Sequence, residues 1–94
     1  MSHVVERLKL RFGISDLTVP KLKYFTMEFG EKLFSSKDGA DFHIVTYAGK
    51  TLYPVVRDGR IVTVYWSSHV SLLANKLFRH DPKKLNKIYK KMRE

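Results

Sequence analysis

Three side chains near the start of the chain, His3, Arg7 and Arg11, recur at intervals of four. If residues 3–12 are helical, that spacing stacks an imidazole and two guanidinium groups along one line of the helix surface. Such a line suits a negatively charged partner. Guanidinium groups bind phosphate or carboxylate as a bidentate fork, and imidazole titrates near neutral pH. A second histidine, His43, falls in a run of alternating apolar and polar residues. Metal-independent cleavage of RNA needs a base for the 2′-hydroxyl, an acid for the leaving 5′-oxygen, and cations around the charged transition state. His43, His3 and Arg7 could fill the catalytic roles, with Arg11, Arg57 and Arg60 as further cations. A plainer reading stands beside each: a solvated helix edge for the basic line, an ordinary strand residue for His43.

The densest positive charge comes last. From Lys76 onward there are eight basic residues and only two acids, Asp81 and Glu94. Lys83, Lys84, Lys87, Lys90 and Lys91 surround a stripe of Leu85, Ile88, Tyr89 and Met92 at helical spacing. Lysines set around such a stripe can engage phosphates, each releasing condensed counterions and making affinity fall with salt. They can equally lay their aliphatic stems over apolar surface. The stripe is narrow, which suits a domain core better than a membrane surface.

Other chemistry finds no motif. The chain has no Cys, and its four histidines show no HExxH pattern, so no metal ligand set is expected. Walker A, GxGxxG and GxSxG signatures are missing, and no cofactor is expected. AGKT at 48–51 has the tail of a phosphate loop without its upstream glycine, and it falls in a hairpin. The acids are scattered singly.

The elements that must position these residues can be read from caps and periodicity. Residues 3–12 form a first helix, with Ser2 as cap, Val4, Val5, Leu8 and Phe12 as its apolar side, and Gly13 as its stop. A second helix runs from Thr18 to Phe29, with Pro20 in its first turn and Gly30 at its end. Its aromatics, Tyr24, Phe25 and Phe29, are expected in the core. The period then changes to two. Glu31–Ser36 reads as a short edge strand, and Asp41–Ala48, Thr51–Arg57 and Arg60–Trp66 as three further strands. Tight turns at Gly49-Lys50 and Asp58-Gly59 make an antiparallel meander. That register puts Phe42, Ile44, Tyr53, Val55, Val62, Val64 and Trp66 on one face, packed on the first two helices. His43, Val45, Tyr47, Leu52, Val56, Ile61, Thr63 and Tyr65 fall on the other. Pro54 suggests that its strand is not paired on both sides throughout. Ser67 or Ser68 caps a third helix to about Arg79, and Asp81-Pro82 starts the fourth. The expected class is α+β: two N-terminal helices, a three- to four-stranded antiparallel meander, and two C-terminal helices.

A chain of 94 residues makes a single domain. Its balance of 18 Lys and Arg against nine Asp and Glu, a net charge of +9, favours polyanionic partners. No apolar run reaches the ~18 residues needed to span a bilayer, and no apolar signal core follows the first charges. A soluble, cytoplasmic protein is expected.

Two stretches carry a resemblance. HVVERLKLRFG (3–13) fits H-x3-R-x3-R-[FY]-G, and DGRIVTVYW (58–66) ends the sheet. Together they resemble small proteins of tailed bacteriophages, and the layout is broadly similar to the barnase/colicin/RelE (BECR) ribonuclease superfamily. The resemblance implies that His3, Arg7 and Arg11 face a substrate phosphate, and that the setting is a host cytoplasm. The chain departs from the family where TLYPVV (51–56) replaces the arginine-dense central strand of RelE-type toxins, and in its extra basic C-terminal helices. Three expectations follow in order. The first is nucleic-acid binding, RNA ahead of DNA, through Arg7, Arg11, Arg57, Arg60 and the lysines at 83, 84, 87, 90 and 91. The second is an inhibitor that docks on an acidic host protein. The third is a metal-independent ribonuclease or toxin-like activity. Oligomeric state is left open.

Overall fold

The computed structural model describes residues 3–93. The elements run α1 (His3–Phe12), α2 (Val19–Phe29), β1 (Glu31–Ser35), β2 (Asp41–Tyr47), β3 (Lys50–Arg57), β4 (Arg60–Tyr65), α3 (Ser67–Phe78) and α4 (Pro82–Arg93). The strands form one antiparallel sheet in the order β1-β2-β3-β4. Among the described residues the fold is α+β, with four helices and four strands.

Local chemistry accounts for most of the boundaries. Gly13 takes a left-handed φ of +66°, and the Ile14 N–H turns back to the Leu8 carbonyl, closing α1. The expected Ser2 cap lies outside the described residues. The Thr18 side chain accepts from the Lys21 N–H at the start of α2. Gly30 ends α2 for a different reason from Gly13, because its φ is −84°. A Cβ there would sit 2.5 Å from the Thr26 carbonyl oxygen and 2.9 Å from that of Ile44, so only glycine lets helix and sheet approach this closely. At α3 neither serine is the cap. Trp66 holds that position without a side-chain cap bond, and Ser67 and Ser68 lie within the first turn.

The sheet has helices on both faces. Val45, Leu52, Val56, Ile61 and Val64 pack with Val4 and Leu8 of α1 and Leu22 of α2. Phe42, Tyr53 and Val55 pack on the other face with Val70 and Ala74 of α3 and Ile88 of α4. Each fully buried Leu or Val contributes roughly 1.5–3 kcal/mol. The expected face of Phe42, Ile44, Tyr53 and Val55 does exist, but it packs on α3 and α4 rather than on the first two helices.

The remaining differences from the sequence reading are in register. The β2–β3 turn is Ala48-Gly49, with φ of +51° and +75°, so Val45 pairs with Leu52 and Phe42 with Val55. The shift is two residues, which keeps every side chain on its expected face. The Asp58-Gly59 turn forms as expected, with both φ positive and Arg57 paired with Arg60. Val62 then bulges out of β4, so that Val55 faces Thr63 and Tyr53 faces Tyr65. The bulge exchanges faces beyond it. Val64 joins the α1/α2 side, Thr63 and Tyr65 turn to the α3/α4 side, and Val62 and Trp66 stay exposed. A second bulge at Leu33 lets Leu33 and Phe34, neighbours in sequence, enter the same core. Pro54 pairs toward β4, while no β2 residue pairs with Tyr53 or Pro54.

Candidate nucleic-acid interface

α4 starts where the Asp81 carboxylate accepts the Lys84 backbone N–H at 3.2 Å and Pro82 occupies the first helical position. Ile88 is fully buried among α3 and sheet residues, with Leu85 and Met92 packed beside it. The Tyr89 hydroxyl donates to the Ser71 carbonyl of α3 at 3.5 Å. The helix is therefore anchored along one side.

The lysines run from the flank of that side, at Lys84 and Lys91, round to solvent at Lys83, Lys87 and Lys90. Lys83, Lys84, Lys87 and Lys90 are exposed. Lys84 places its ammonium 4.5 Å from the centre of the Phe78 ring. Lys91 is half-buried and pairs with Glu31 of β1 at 3.0 Å. The other ion pair among the described residues joins Arg57 to Asp38. Lys83, Lys84, Lys87 and Lys90 thus face solvent without an acidic partner among the described residues. Like charges three and four positions apart repel by a few tenths of a kcal/mol per pair, and an anion between them relieves that cost. Between this face and the edge strand β1 runs a groove of about 360 Å³, floored by Leu33 and Ile88 and rimmed by Lys83, Lys84, Lys87 and Lys91, with the helix-capping Asp81 as its one acid.

The other sequence-derived residues lie elsewhere. α1 packs against β4 on one face of the sheet, whereas α4 packs against α3 and β1 on the other. The two basic groups therefore occupy opposite faces and opposite edges. Within the first group, His3 is exposed and Arg7 half-buried. Arg11 donates from Nη1 to the Val64 carbonyl at 2.9 Å, tying α1 to β4. It also lines a recess of about 220 Å³ with Trp66, Ser68 and His69. Arg57 and Arg60 flank the β3–β4 turn, and Arg57 reaches the Asp38 carboxylate of the β1–β2 loop. The carboxyl of Asp38 is held below its usual pKa by the Ser36 hydroxyl first and by Arg57 after it, with burial acting the other way.

His43 is buried on β2, with Nδ1 3.2 Å from the Asp41 carbonyl oxygen. Burial pushes its pKa down. The Asp41 carbonyl and carboxylate oppose that shift, and Lys32 adds to it. β2 lies two strands from β4, about 10 Å across the sheet. α1 packs on β4, so His43 is not brought to His3 or Arg7. Among the described residues no three His, Asp or Glu side chains gather as a metal would require.

The sequence reading missed one surface feature. Leu22 and Thr26 are the buried residues of α2, while Tyr24 and Phe29, expected inside, are 58% and 69% exposed. Consecutive helical residues point about 100° apart. Tyr24 and Phe25 could not both face the sheet, and this was the signal available in the sequence.

Comparison of the chain with protein-family models, with curated proteins and with solved structures finds no match. The resemblance to phage proteins and to the BECR group therefore stands only on the residues that suggested it.

Proposed function

We propose that the protein binds nucleic acid, RNA ahead of DNA, through the lysine face of α4. One observation carries this reading: a helix fixed to the core by Leu85, Ile88 and Met92 presents four exposed lysines that no acid among the described residues neutralises. Ammonium groups hold phosphates as point charges and read no bases, so the binding is largely independent of sequence. RNA comes first because its unpaired strands are the form that proteins most often engage, and an exposed helix face can follow a strand without entering a groove. The setting that fits is a cytoplasm, that of a host if the protein is phage-encoded. Among the described residues no helix is long and apolar enough to cross a membrane.

Fluorescence anisotropy with labelled single-stranded RNA in EDTA, titrated over a series of salt concentrations, tests the proposal. Binding that weakens steeply and log-linearly with salt is the expected result. Absence of binding at low salt contradicts it and turns the lysine face toward an acidic protein. RNA shortened in the same samples would instead favour the ribonuclease reading, with His43, His3 and Arg7 as the first residues to replace.

A further inference from the structure

The exposed rings of α2 are braced. Phe25 and Tyr47 are half-buried against the core, with ring centres 5.4 Å apart. Tyr24 stands edge-on to Phe25 at 5.7 Å and to Phe29 at 6.2 Å, and Phe25 and Phe29 are 5.9 Å apart. Two solvent-facing rings thus rest on one anchored ring, Phe25, which Tyr47 backs. Beside them, Pro20, Lys21, Tyr24, Phe25 and Tyr47 line an open, mainly apolar hollow of about 440 Å³. Surface aromatics held this way cost solvation without gaining core packing, and contiguous exposed apolar surface marks a binding site.

The ring cluster reaches toward the lysine groove through Phe29. Phe29 belongs both to the ring cluster and to a recess of about 330 Å³ that it shares with Glu31, Ile44, Thr46 and Lys91. Lys91 in turn lines the groove beneath the α4 lysines. Phe29 and Lys91 thus link the rings to the α4 lysines around the β1 edge of the sheet. Of the acids along this surface, Glu31 is neutralised by Lys91 and Asp81 caps α4, while Lys21 and Lys23 outnumber the exposed Glu28 at the aromatic end.

We infer that this surface is a single-strand track: the α4 lysines hold the phosphates of a polynucleotide whose unpaired bases stack on Tyr24 and Phe29. The inference rests on the phosphate-binding role of α4 and adds the strandedness of the ligand. Every base offers a π face, so stacking serves any sequence, whereas a duplex keeps those faces occupied. Charge separates this occupant from an apolar protein partner, because the rings lead toward a groove lined by four lysines and one acid, Asp81.

The test uses the full chain and oligonucleotides of one length: single-stranded RNA, single-stranded DNA, the matching duplex, and an abasic strand. Both single strands are expected to bind more tightly than the duplex. A Tyr24→Ala, Phe29→Ala double variant should lose about tenfold or more in affinity for base-bearing strands. It should keep the wild-type salt slope and bind the abasic strand as the wild type does. Tyr24→Phe, which keeps a ring, should retain wild-type affinity. Both side chains are largely exposed, so the variants should fold, and circular dichroism checks this. Unchanged affinity in the double variant overturns the stacking site while leaving the lysine face standing. Absence of salt-dependent binding by the wild type overturns both. Equal loss on the abasic strand, or loss of self-association in sedimentation instead of loss of RNA binding, also overturns it.

Discussion

At the scale of single residues, two buried polar groups give the molecule measurable signatures. The bulge at Val62 turns Thr63 into the α3/α4 face, where its hydroxyl is buried with no hydrogen-bond partner among the described residues. Thr63→Val keeps the shape and removes the unpaired hydroxyl, so it should stabilise the fold by about 1 kcal/mol in urea denaturation. His43 sets a pH dependence. Its folded-state pKa lies below the ordinary value of 6.5 because burial disfavours the charged ring. The unfolded chain then takes up a proton first as pH falls, so the contribution of His43 to stability is full above pH 6.5 and is lost below it, down to the depressed folded-state pKa. Melting temperature should therefore drop between pH 7.5 and pH 5, and His43→Gln should flatten that drop. An unchanged pH profile in the variant would contradict the buried neutral ring. The burial of Thr63 could not be read beforehand, since apart from Thr63 residues 61–66 are apolar or aromatic at both parities and the alternation cannot say which of them bulges.

At the scale of elements, the helices were legible and the sheet only partly so. The Asp81-Pro82 start of α4, the Thr18 cap of α2 and the Gly13 stop of α1 are local devices written in a few residues, and each forms as read. Hairpin turns were nearly as legible, because Asp58-Gly59 tolerates the positive φ it adopts. The β2–β3 turn moved by one residue, yet the faces of β2 and β3 survived because the register changed by an even number. What escaped was tertiary choice. Both sheet faces are apolar enough to bury, and nothing local assigns a helix pair to either one. Asp81 offers a clean check on α4. Asp81→Ala removes the acceptor of the Lys84 N–H and should cost about 1 kcal/mol, read as a lower denaturation midpoint with faster amide exchange in the first turn of α4. No change in either would mean that the cap does not hold the lysine-bearing helix in place.

For the whole molecule, the folded arrangement divides the charge that the sequence lists in one dimension. His3, Arg7 and Arg11 sit on the β4 side of one face, Arg57 and Arg60 at a hairpin end, and the lysines on the β1 side of the other face. The opening motif is thus part of the α1–β4 contact, with Arg11 holding a strand carbonyl, and Lys83, Lys84, Lys87 and Lys90 form the largest run of exposed cations on one element without an ion pair among the described residues. If that group binds phosphate, each lysine engaged should contribute about 0.7 to the slope of log affinity against log salt on a single strand. The decisive measurement compares this slope for the wild type and for a variant carrying Lys83→Gln, Lys84→Gln, Lys87→Gln and Lys90→Gln, on the same single-stranded RNA. A slope shallower by up to about 3, with the fold intact by circular dichroism, is the predicted result. An identical slope in the two proteins would contradict the account, because the phosphates would then be held somewhere other than α4.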